Sequence, residues 1–214
     1  MRDFAEEIYM IKYFTNFCIT MFLFIVTSTA MASDSKQNID YGTLGVGDPN
    51  APVKFIDYSS LTCPACAKFH NGTLPAFKEK YVETGKVYFE FRDFPLDSLA
   101  AAAAMIARCA GPDKRLAIVD KLFQDQRNWR SGETGQEVID KVMALAEPLG
   151  LPRADAENCL NDEKLFKAVL DERERGLNED DVKATPTLII NGEKISGAMS
   201  LDDISKIVDR AMVK

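Results

Sequence analysis

The sequence predicts an α/β fold in which a strand–helix–strand unit is followed by a long helical segment, after which further strands complete the sheet. Apolar runs at residues 53–58 and 87–91 have strand character and flank a helix pattern. Strands joined in this way pair in parallel through a right-handed crossover. Residues 97–178 show helix patterns only, and strand character returns at residues 185–190. A helical insertion is therefore predicted between the two groups of strands.

Length and charge limit the possible classes of protein. The chain has 214 residues, of which 46% are hydrophobic and 28% charged, which suits one compact domain or one domain carrying an insertion. Its formal net charge is −7. Because binding to nucleic-acid phosphates needs a basic face, this charge argues against a nucleic-acid partner.

The first 32 residues are predicted to be a signal peptide that directs export to the periplasm. Residues 17–26 form an apolar core too short to span a bilayer comfortably, and Ala30-Met31-Ala32 supplies the small residues that signal peptidase recognises. The acidic residues before Met10 are unusual in a signal, so Met10 competes with Met1 as the start. An uncleaved membrane anchor is the alternative interpretation. Residues 33–50 then form a short polar leader.

The first helix is predicted to start at the cysteine motif that follows strand 53–58. It runs to about Tyr81, and Pro75 is expected to kink it because proline interrupts the hydrogen bonds of a helix. Gly85 ends it, and strand 87–91 follows.

The insertion is predicted to contain four helices. Ser98 can cap the first, an alanine-rich helix that Gly111-Pro112 ends, and Gly176 is expected to stop the last. The predicted ranges are 99–110, 113–126, 133–149 and 162–175.

A hairpin and a helix complete the predicted fold. Strands 185–190 and 194–196 are joined by Asn191-Gly192, which favours a two-residue turn. The closing helix covers residues 201–213, with Ser200 as its cap.

The stretch Thr62-Cys63-Pro64-Ala65-Cys66 is the candidate site of chemistry, because two cysteines at this spacing can close a reversible disulfide. At a helix start, the first sulfur lies beside unpaired N–H groups and the positive end of the helix dipole, which stabilise a thiolate. Pro64 suits the first helical turn, where its missing N–H breaks no hydrogen bond. Cys63 is therefore the predicted nucleophile and Cys66 the more buried resolving thiol.

A static disulfide and half of a zinc site are the alternatives for this pair. Zinc would need two more ligands at short spacing, and the nearest candidates are His70, Cys109 and Cys159. A four-residue ring constrains little of the unfolded chain, which argues against a static disulfide. We therefore favour redox chemistry without a metal or another cofactor.

The remaining cysteines predict a structural disulfide. Removal of the signal peptide removes Cys18 and leaves four cysteines, which allow three pairings. The close spacing favours Cys63 with Cys66, so Cys109 pairs with Cys159. Such a bridge is expected in an oxidising compartment, and two buried free thiols are the alternative.

The order of these elements, with Cys-Pro-Ala-Cys before a helix and Thr-Pro before a late strand, resembles the DsbA family of thiol:disulfide oxidoreductases. The resemblance covers about residues 45–212. It implies a thioredoxin fold with an inserted helical domain. Residues 51–96 and 179–214 would form the two parts of the thioredoxin domain, and residues 97–178 the insertion.

The resemblance also implies roles for individual residues. Cys63 matches the attacking cysteine and Cys66 the resolving cysteine. Asp57 matches a buried acid that can accept a proton while a mixed disulfide breaks down, although an edge or capping carboxylate is the alternative. Thr185-Pro186 matches a cis-proline loop that faces the sulfurs and pairs with an extended substrate segment.

Some residues depart from the family pattern or stay outside it. Pro-Ala stands between the cysteines where well-known oxidases have Pro-His, and Thr185 stands where several have valine; both favour a less extreme oxidant. His70 shares the helix side of the cysteines, but a surface or capping histidine is favoured over a catalytic one. Trp129 is predicted to lie in the core or to line a groove, rather than to hold a cofactor.

The predicted activity is the transfer of a disulfide to reduced, cysteine-containing secreted proteins by exchange through Cys63. A membrane-bound partner would reoxidise the protein, which is expected to be monomeric. The alternatives are a disulfide isomerase or reductase on the same fold, a peptide-binding or chaperone module with an inert disulfide, and a metal chaperone.

Overall fold

A computed structural model describes residues 39–213, at the centre of which lies a five-stranded sheet. The order of the strands across the sheet is β1-β3-β2-β4-β5. The predicted signal peptide, with both possible starts, lies outside the described residues. The strands are β1 Leu44–Val46, β2 Val53–Ser59, β3 Val87–Asp93, β4 Thr187–Ile190 and β5 Glu193–Ser196.

Strands β2 and β3 form the predicted parallel pair at the centre of the sheet. Val53 lies opposite Val87, and the pairing continues to Ser59 opposite Asp93. The other three pairings are antiparallel. Both central strands are almost completely buried, as expected for parallel strands that are covered on both faces. The predicted α/β fold class is confirmed.

Strand β1 corrects the prediction of a polar leader over residues 33–50. It pairs antiparallel with β3, with Leu44 opposite Phe91, and Leu44 is buried in the core. A strand of three residues with a glycine at its centre has no strand pattern of its own. The strand exists because the free edge of β3 offers it hydrogen-bond partners, a condition that no local sequence pattern reveals.

The first helix, α1, covers residues 64–82 and starts directly after Cys63. Its α-helical turns Pro64–Lys68 and Leu74–Phe77 alternate with the π-helical turns Phe69–Thr73 and Lys78–Val82. Pro75 lies in the first turn that follows a π-helical turn. Proline lacks the N–H that a regular helix needs, and the π-helical turn already interrupts the regular hydrogen bonds at this point.

In the described part of the chain, the insertion contains six α-helices, two more than predicted, and a short 3₁₀ helix at Glu147–Leu149. The two helices that were not predicted, Gln126–Trp129 and Arg153–Leu160, are short and lack a long apolar period. The helices are α2 Ser98–Cys109, α3 Pro112–Gln124, α4 Gln126–Trp129, α5 Gly135–Ala146, α6 Arg153–Leu160 and α7 Glu163–Asn178; the last helix of the fold is α8 Leu201–Met212.

Two predicted helix boundaries were wrong. The cap of α2 is Asp97, whose carboxylate accepts a hydrogen bond from the N–H of Ala100 at 2.8 Å, and Ser98 is the first helical residue. Helix α7 continues past Gly176, where it crosses Tyr58. A Cβ atom on Gly176 would lie 2.8 Å from the tyrosine ring, so this glycine allows close packing and does not end the helix. The predicted cap of α8, Ser200, is confirmed.

A disulfide joins Cys109 at the end of α2 to Cys159 near the end of α6. Both cysteines are buried. The bridge holds together two helices of the insertion.

Two buried arginines attach the insertion to the sheet. Arg108 donates to Asp93 at 2.7 Å and to Glu172 at 2.6 Å, and Arg115 donates to Asp93 at 2.8 Å and to Asp40 at 2.9 Å. The five side chains connect α2, α3 and α7 to the carboxyl end of β3. Because ions inside a protein are costly unless they are paired, this cluster is expected to specify how the helices lie on the sheet.

Candidate active site

Cys63 caps the N-terminus of α1, as the sequence predicted. Strand β2 ends at Ser59, and a short turn brings Cys63 to the first residue before the helix. Its sulfur accepts a hydrogen bond from the N–H of Cys66 at 3.4 Å, and Pro64 occupies the first helical position. Cys63 is 7% exposed, whereas Cys66 is fully buried.

The environments of the two thiols move their pKa values in opposite directions. A hydrogen bond from the Cys66 side chain is the main cause that lowers the pKa of Cys63 to about 5; Thr185 and the backbone N–H groups of Cys66 and Ala65 act in the same direction, against the effect of burial. Burial, the hydrogen bond with Cys63 and the charge of Asp57 raise the pKa of Cys66. At neutral pH, Cys63 is therefore a thiolate and Cys66 a thiol.

The alkylation of reduced protein by iodoacetamide is expected to reflect this thiolate. The rate at Cys63 should be half-maximal near pH 5 and constant above about pH 7, whereas an ordinary thiol with a pKa of ~8.5 would react faster up to pH 9. Because the pKa is lower in the folded state, this thiolate stabilises the reduced fold fully above about pH 8.5, and the effect is lost as the pH falls to 5.

Cys66→Ala provides the matched control, because it removes the main cause of the lowered pKa and leaves Cys63 in place. The alkylation midpoint of this variant should move to higher pH. A wild-type rate that keeps rising through pH 8 would contradict the assigned thiolate.

The Thr185-Pro186 loop lies against Cys63. The peptide bond between the two residues is cis, and the Cys63 sulfur lies 3.4 Å from the carbonyl oxygen of Thr185. Strand β4 brings the loop here, because Thr187 pairs with Tyr58 near the end of β2. Residues 122 positions apart in the sequence thus share one site.

Asp57 is fully buried on the central strand β2, and its charge acts on the Cys66 thiol. Ser59 donates a hydrogen bond to one carboxylate oxygen at 2.6 Å, and Nε2 of His70 lies 2.7 Å from the other. Ser59 also forms a side-chain hydrogen bond with Cys66 that lowers the pKa of that thiol. A chain of polar groups therefore leads from Cys66 through Ser59 to Asp57.

The prediction that His70 is a surface or capping residue was wrong. The histidine is 6% exposed, its ring stacks on Phe123 with centroids 3.9 Å apart, and its Nδ1 is buried without a hydrogen-bond partner among the described residues. The spacing of four between Cys66 and His70 places both on one helix side. The packing of α1 on the sheet turns that side towards β2, and the sequence alone does not show this packing.

Gln126 is a site residue that sequence reasoning missed. Its side-chain amide donates to the carbonyl oxygen of Leu61 at 2.8 Å and to that of Cys63 at 2.9 Å. These bonds hold the turn before α1 from the side of the insertion. No local pattern distinguishes this glutamine from a surface residue. Trp129 is fully buried and donates to Leu122, as predicted for a core residue.

Neither a metal site nor a membrane span is found in the part of the chain that the structure describes. Within residues 39–213, no three His, Cys, Asp or Glu side chains come together in a group that could hold a metal ion. No helix in this range has the length and apolar character needed to cross a bilayer.

Several known proteins have similar sequences and folds. The family model described as thioredoxin matches residues 40–210. A Rickettsia typhi protein named as a protein-disulfide oxidoreductase is 28% identical over 86% of this chain and 67% of its own length. The disulfide bond formation protein D of Bacillus subtilis is 24% identical over 78% of this chain and 76% of its own length.

The crystal structure of Wolbachia pipientis alpha-DsbA1 matches the fold with a TM-score of 0.74. The two chains are 27% identical, and the match covers 80% of this chain and 92% of the other. This chain spans 67% of the Rickettsia typhi protein and 62% of a relative from Rickettsia felis, about two thirds of their length. The chain belongs to the thioredoxin family and, within it, to the DsbA-type thiol:disulfide oxidoreductases.

Proposed function

We propose that this protein is an exported oxidase that introduces disulfides into reduced secreted proteins through Cys63. The observation that carries the proposal is the pair of thiols with opposite pKa shifts, a thiolate at Cys63 and a protonated Cys66. An interaction that stabilises the Cys63 thiolate stabilises the reduced protein, which makes the oxidised protein a stronger disulfide donor.

In the proposed reaction, a client thiolate attacks Cys63 in the oxidised Cys63–Cys66 disulfide. The bond between the two cysteines breaks, Cys66 leaves and takes up a proton, and a mixed disulfide links Cys63 to the client. A second client thiolate attacks the client sulfur of this mixed disulfide, and Cys63 leaves as a thiolate. The client has lost two electrons and gained a disulfide, and both active-site cysteines are reduced.

The Thr185-Pro186 loop is proposed to align the client, since the Thr185 carbonyl oxygen lies beside the Cys63 sulfur. An extended client segment can pair with this backbone as an added strand. The loop belongs to the second part of the thioredoxin domain, residues 179–214, and the cysteines to the first, residues 51–96. Residues 97–178 form the proposed inserted domain.

Asp57 is proposed to accept a proton when the reduced protein is reoxidised. Cys66 then attacks the mixed disulfide between Cys63 and the oxidising partner, for which it must become a thiolate although burial raises its pKa. The polar chain from Cys66 through Ser59 to Asp57 supports this role.

The proposed location is the periplasm, reached through the signal peptide of residues 1–32. A static disulfide between Cys109 and Cys159 supports an oxidising compartment, since such bridges are rare in the cytosol. We further propose that a membrane-bound partner reoxidises a monomeric protein.

The redox equilibrium with glutathione tests the proposed direction of transfer. A donor should reach half-reduction at a potential above about −200 mV, whereas a reductase lies near −270 mV and a stable structural disulfide below about −300 mV. The fraction of reduced Cys63 and Cys66 is measured by mass after thiol trapping in a series of glutathione buffers. A midpoint below −270 mV would refute the oxidase, and scrambling of a misfolded disulfide client would indicate an isomerase.

A further inference from the structure

A groove with a volume of about 740 Å³ runs beside the active-site helix. One wall is α1, and the other is the segment of residues 123–130, which contains the end of α3 and the whole of α4. Pro64, the residue that follows Cys63, lines the groove. Any chain bonded to the Cys63 sulfur therefore leaves the sulfur close to this groove.

Three exposed positive side chains line the groove, namely Lys68, Arg127 and Arg130. Within residues 39–213, none of the three makes an ion pair, and no acidic residue lines the groove. The two arginines are three positions apart, so they project from the same side of their segment. Unpaired like charges on a concave surface create a positive potential that attracts anionic groups.

This positive groove contrasts with the rest of the molecule, because the chain as a whole carries a formal charge of −7. The average field of the protein therefore repels acidic chains, whereas the groove attracts them. The net charge by itself would favour basic clients. A preference for acidic clients would therefore indicate binding in the groove and not long-range steering by the whole protein.

The two walls of the groove are held in place by side-chain hydrogen bonds. Asn71 on α1 donates to the carbonyl oxygen of Phe123 at 2.9 Å, and Gln126 reaches across to the carbonyl oxygen of Cys63. The buried Trp129 anchors the segment between the two arginines. A ligand in the groove consequently meets a preformed surface and does not have to order it.

We propose that the groove binds an acidic segment of the client protein next to the cysteine that exchanges with Cys63. This inference rests on the proposed function. Lys68 lies one helical turn beyond Pro64, about 6 Å along the axis, and an extended client chain advances about 3.3 Å per residue. Carboxylates two to four residues from the client cysteine therefore reach the three cations. Arginine is well suited to them, because its planar group binds a carboxylate with two hydrogen bonds.

The test compares three reduced peptides that share the same two cysteines and differ only in flanking residues, which are glutamate, serine or lysine. Oxidised wild-type protein should oxidise the glutamate peptide about fivefold to tenfold faster than the lysine peptide at low salt. Rates are expressed per peptide thiolate, because flanking charges change the pKa of the peptide thiols. At about 0.5 M salt the ratio should fall below about twofold.

Two variants with the same change in charge locate the effect. Arg127→Gln/Arg130→Gln should reduce the glutamate-to-lysine ratio to about one. Lys86→Gln/Arg175→Gln removes two exposed cations outside the groove and should keep the wild-type ratio. If both variants lose the preference for the glutamate peptide equally, the preference arises from net charge, and the proposal that the groove binds acidic segments is wrong.

The serine peptide distinguishes a failure of the proposed oxidase activity from a failure of the groove as a client site. Wild-type protein that leaves the serine peptide reduced would refute the proposed function itself. Wild-type protein that oxidises all three peptides at equal rates would keep the oxidase and refute the groove as a client site.

Discussion

Replacement of Cys63 by serine is expected to lower the rate of disulfide transfer to a reduced peptide by about a thousandfold or more, to the rate without protein. Serine cannot form the disulfide with Cys66 that carries the two oxidising equivalents. Cys66 alone is fully buried, and its raised pKa keeps it protonated. The measurement is the loss of free peptide thiols with time after addition of pre-oxidised protein.

Cys66→Ala distinguishes the attacking cysteine from the resolving one. This variant keeps Cys63, whose thiolate fraction still attacks an oxidised peptide and forms a mixed disulfide that no internal thiol can release. The mixed species should accumulate and be visible by mass. If Cys63→Ser accumulates it and Cys66→Ala does not, the two roles are exchanged and the assignment is wrong.

Asp57→Asn adds a third variant to the same assay. The mixed disulfide should form at the wild-type rate, because Cys63 keeps the groups that lower its pKa. Its release by Cys66 should be slowed about tenfold to a hundredfold, since the proposed proton acceptor is absent. Unchanged release would remove Asp57 from the mechanism and leave the cysteines in place.

Arg108→Ala is expected to lower the free energy of unfolding by about 3–5 kcal/mol. The guanidinium is 1% exposed and donates to Asp93, to Glu172 and to the backbone oxygen of Gly42. Its removal leaves two buried carboxylates with only Arg115 to balance them. Denaturant unfolding, followed by circular dichroism, measures the loss.

The pH dependence of the stability of Arg108→Ala shows whether the loss comes from unpaired buried charge or from a cavity. Burial and the charge of Asp93 already raise the pKa of Glu172, and loss of Arg108 should raise it further. The folded variant then binds a proton that the unfolded chain releases, so its stability falls as the pH rises through that pKa. The difference from wild type should be larger at pH 8 than at pH 5, whereas a cavity alone would give the same loss at both.

Arg175→Ala is the matched control on α7. Its side chain is exposed and makes no ion pair within residues 39–213, so its removal should change stability by less than about 0.5 kcal/mol. A loss of stability as large as that of Arg108→Ala would mean that an arginine in the buried cluster contributes no more to stability than an exposed one.

The sequence predicted those parts of the fold and site that depend on neighbouring residues. The spacing of Cys63 and Cys66, the apolar strand before them and the helix after them all follow from local patterns. Helices α4 and α6 and strand β1 were not predicted because they are short and have no clear apolar period. Contacts with other elements stabilise them.

What the sequence alone determined was therefore the reactive motif, the parallel strand pair and the helical insertion. Only the tertiary structure decided that His70 lies against Asp57, that Gln126 holds the Cys63 carbonyl, and that three cations share one groove. These contacts join residues far apart in the chain. They depend on how whole helices are placed relative to one another. Many weak contacts across the core determine that placement together, and no local sequence pattern specifies it.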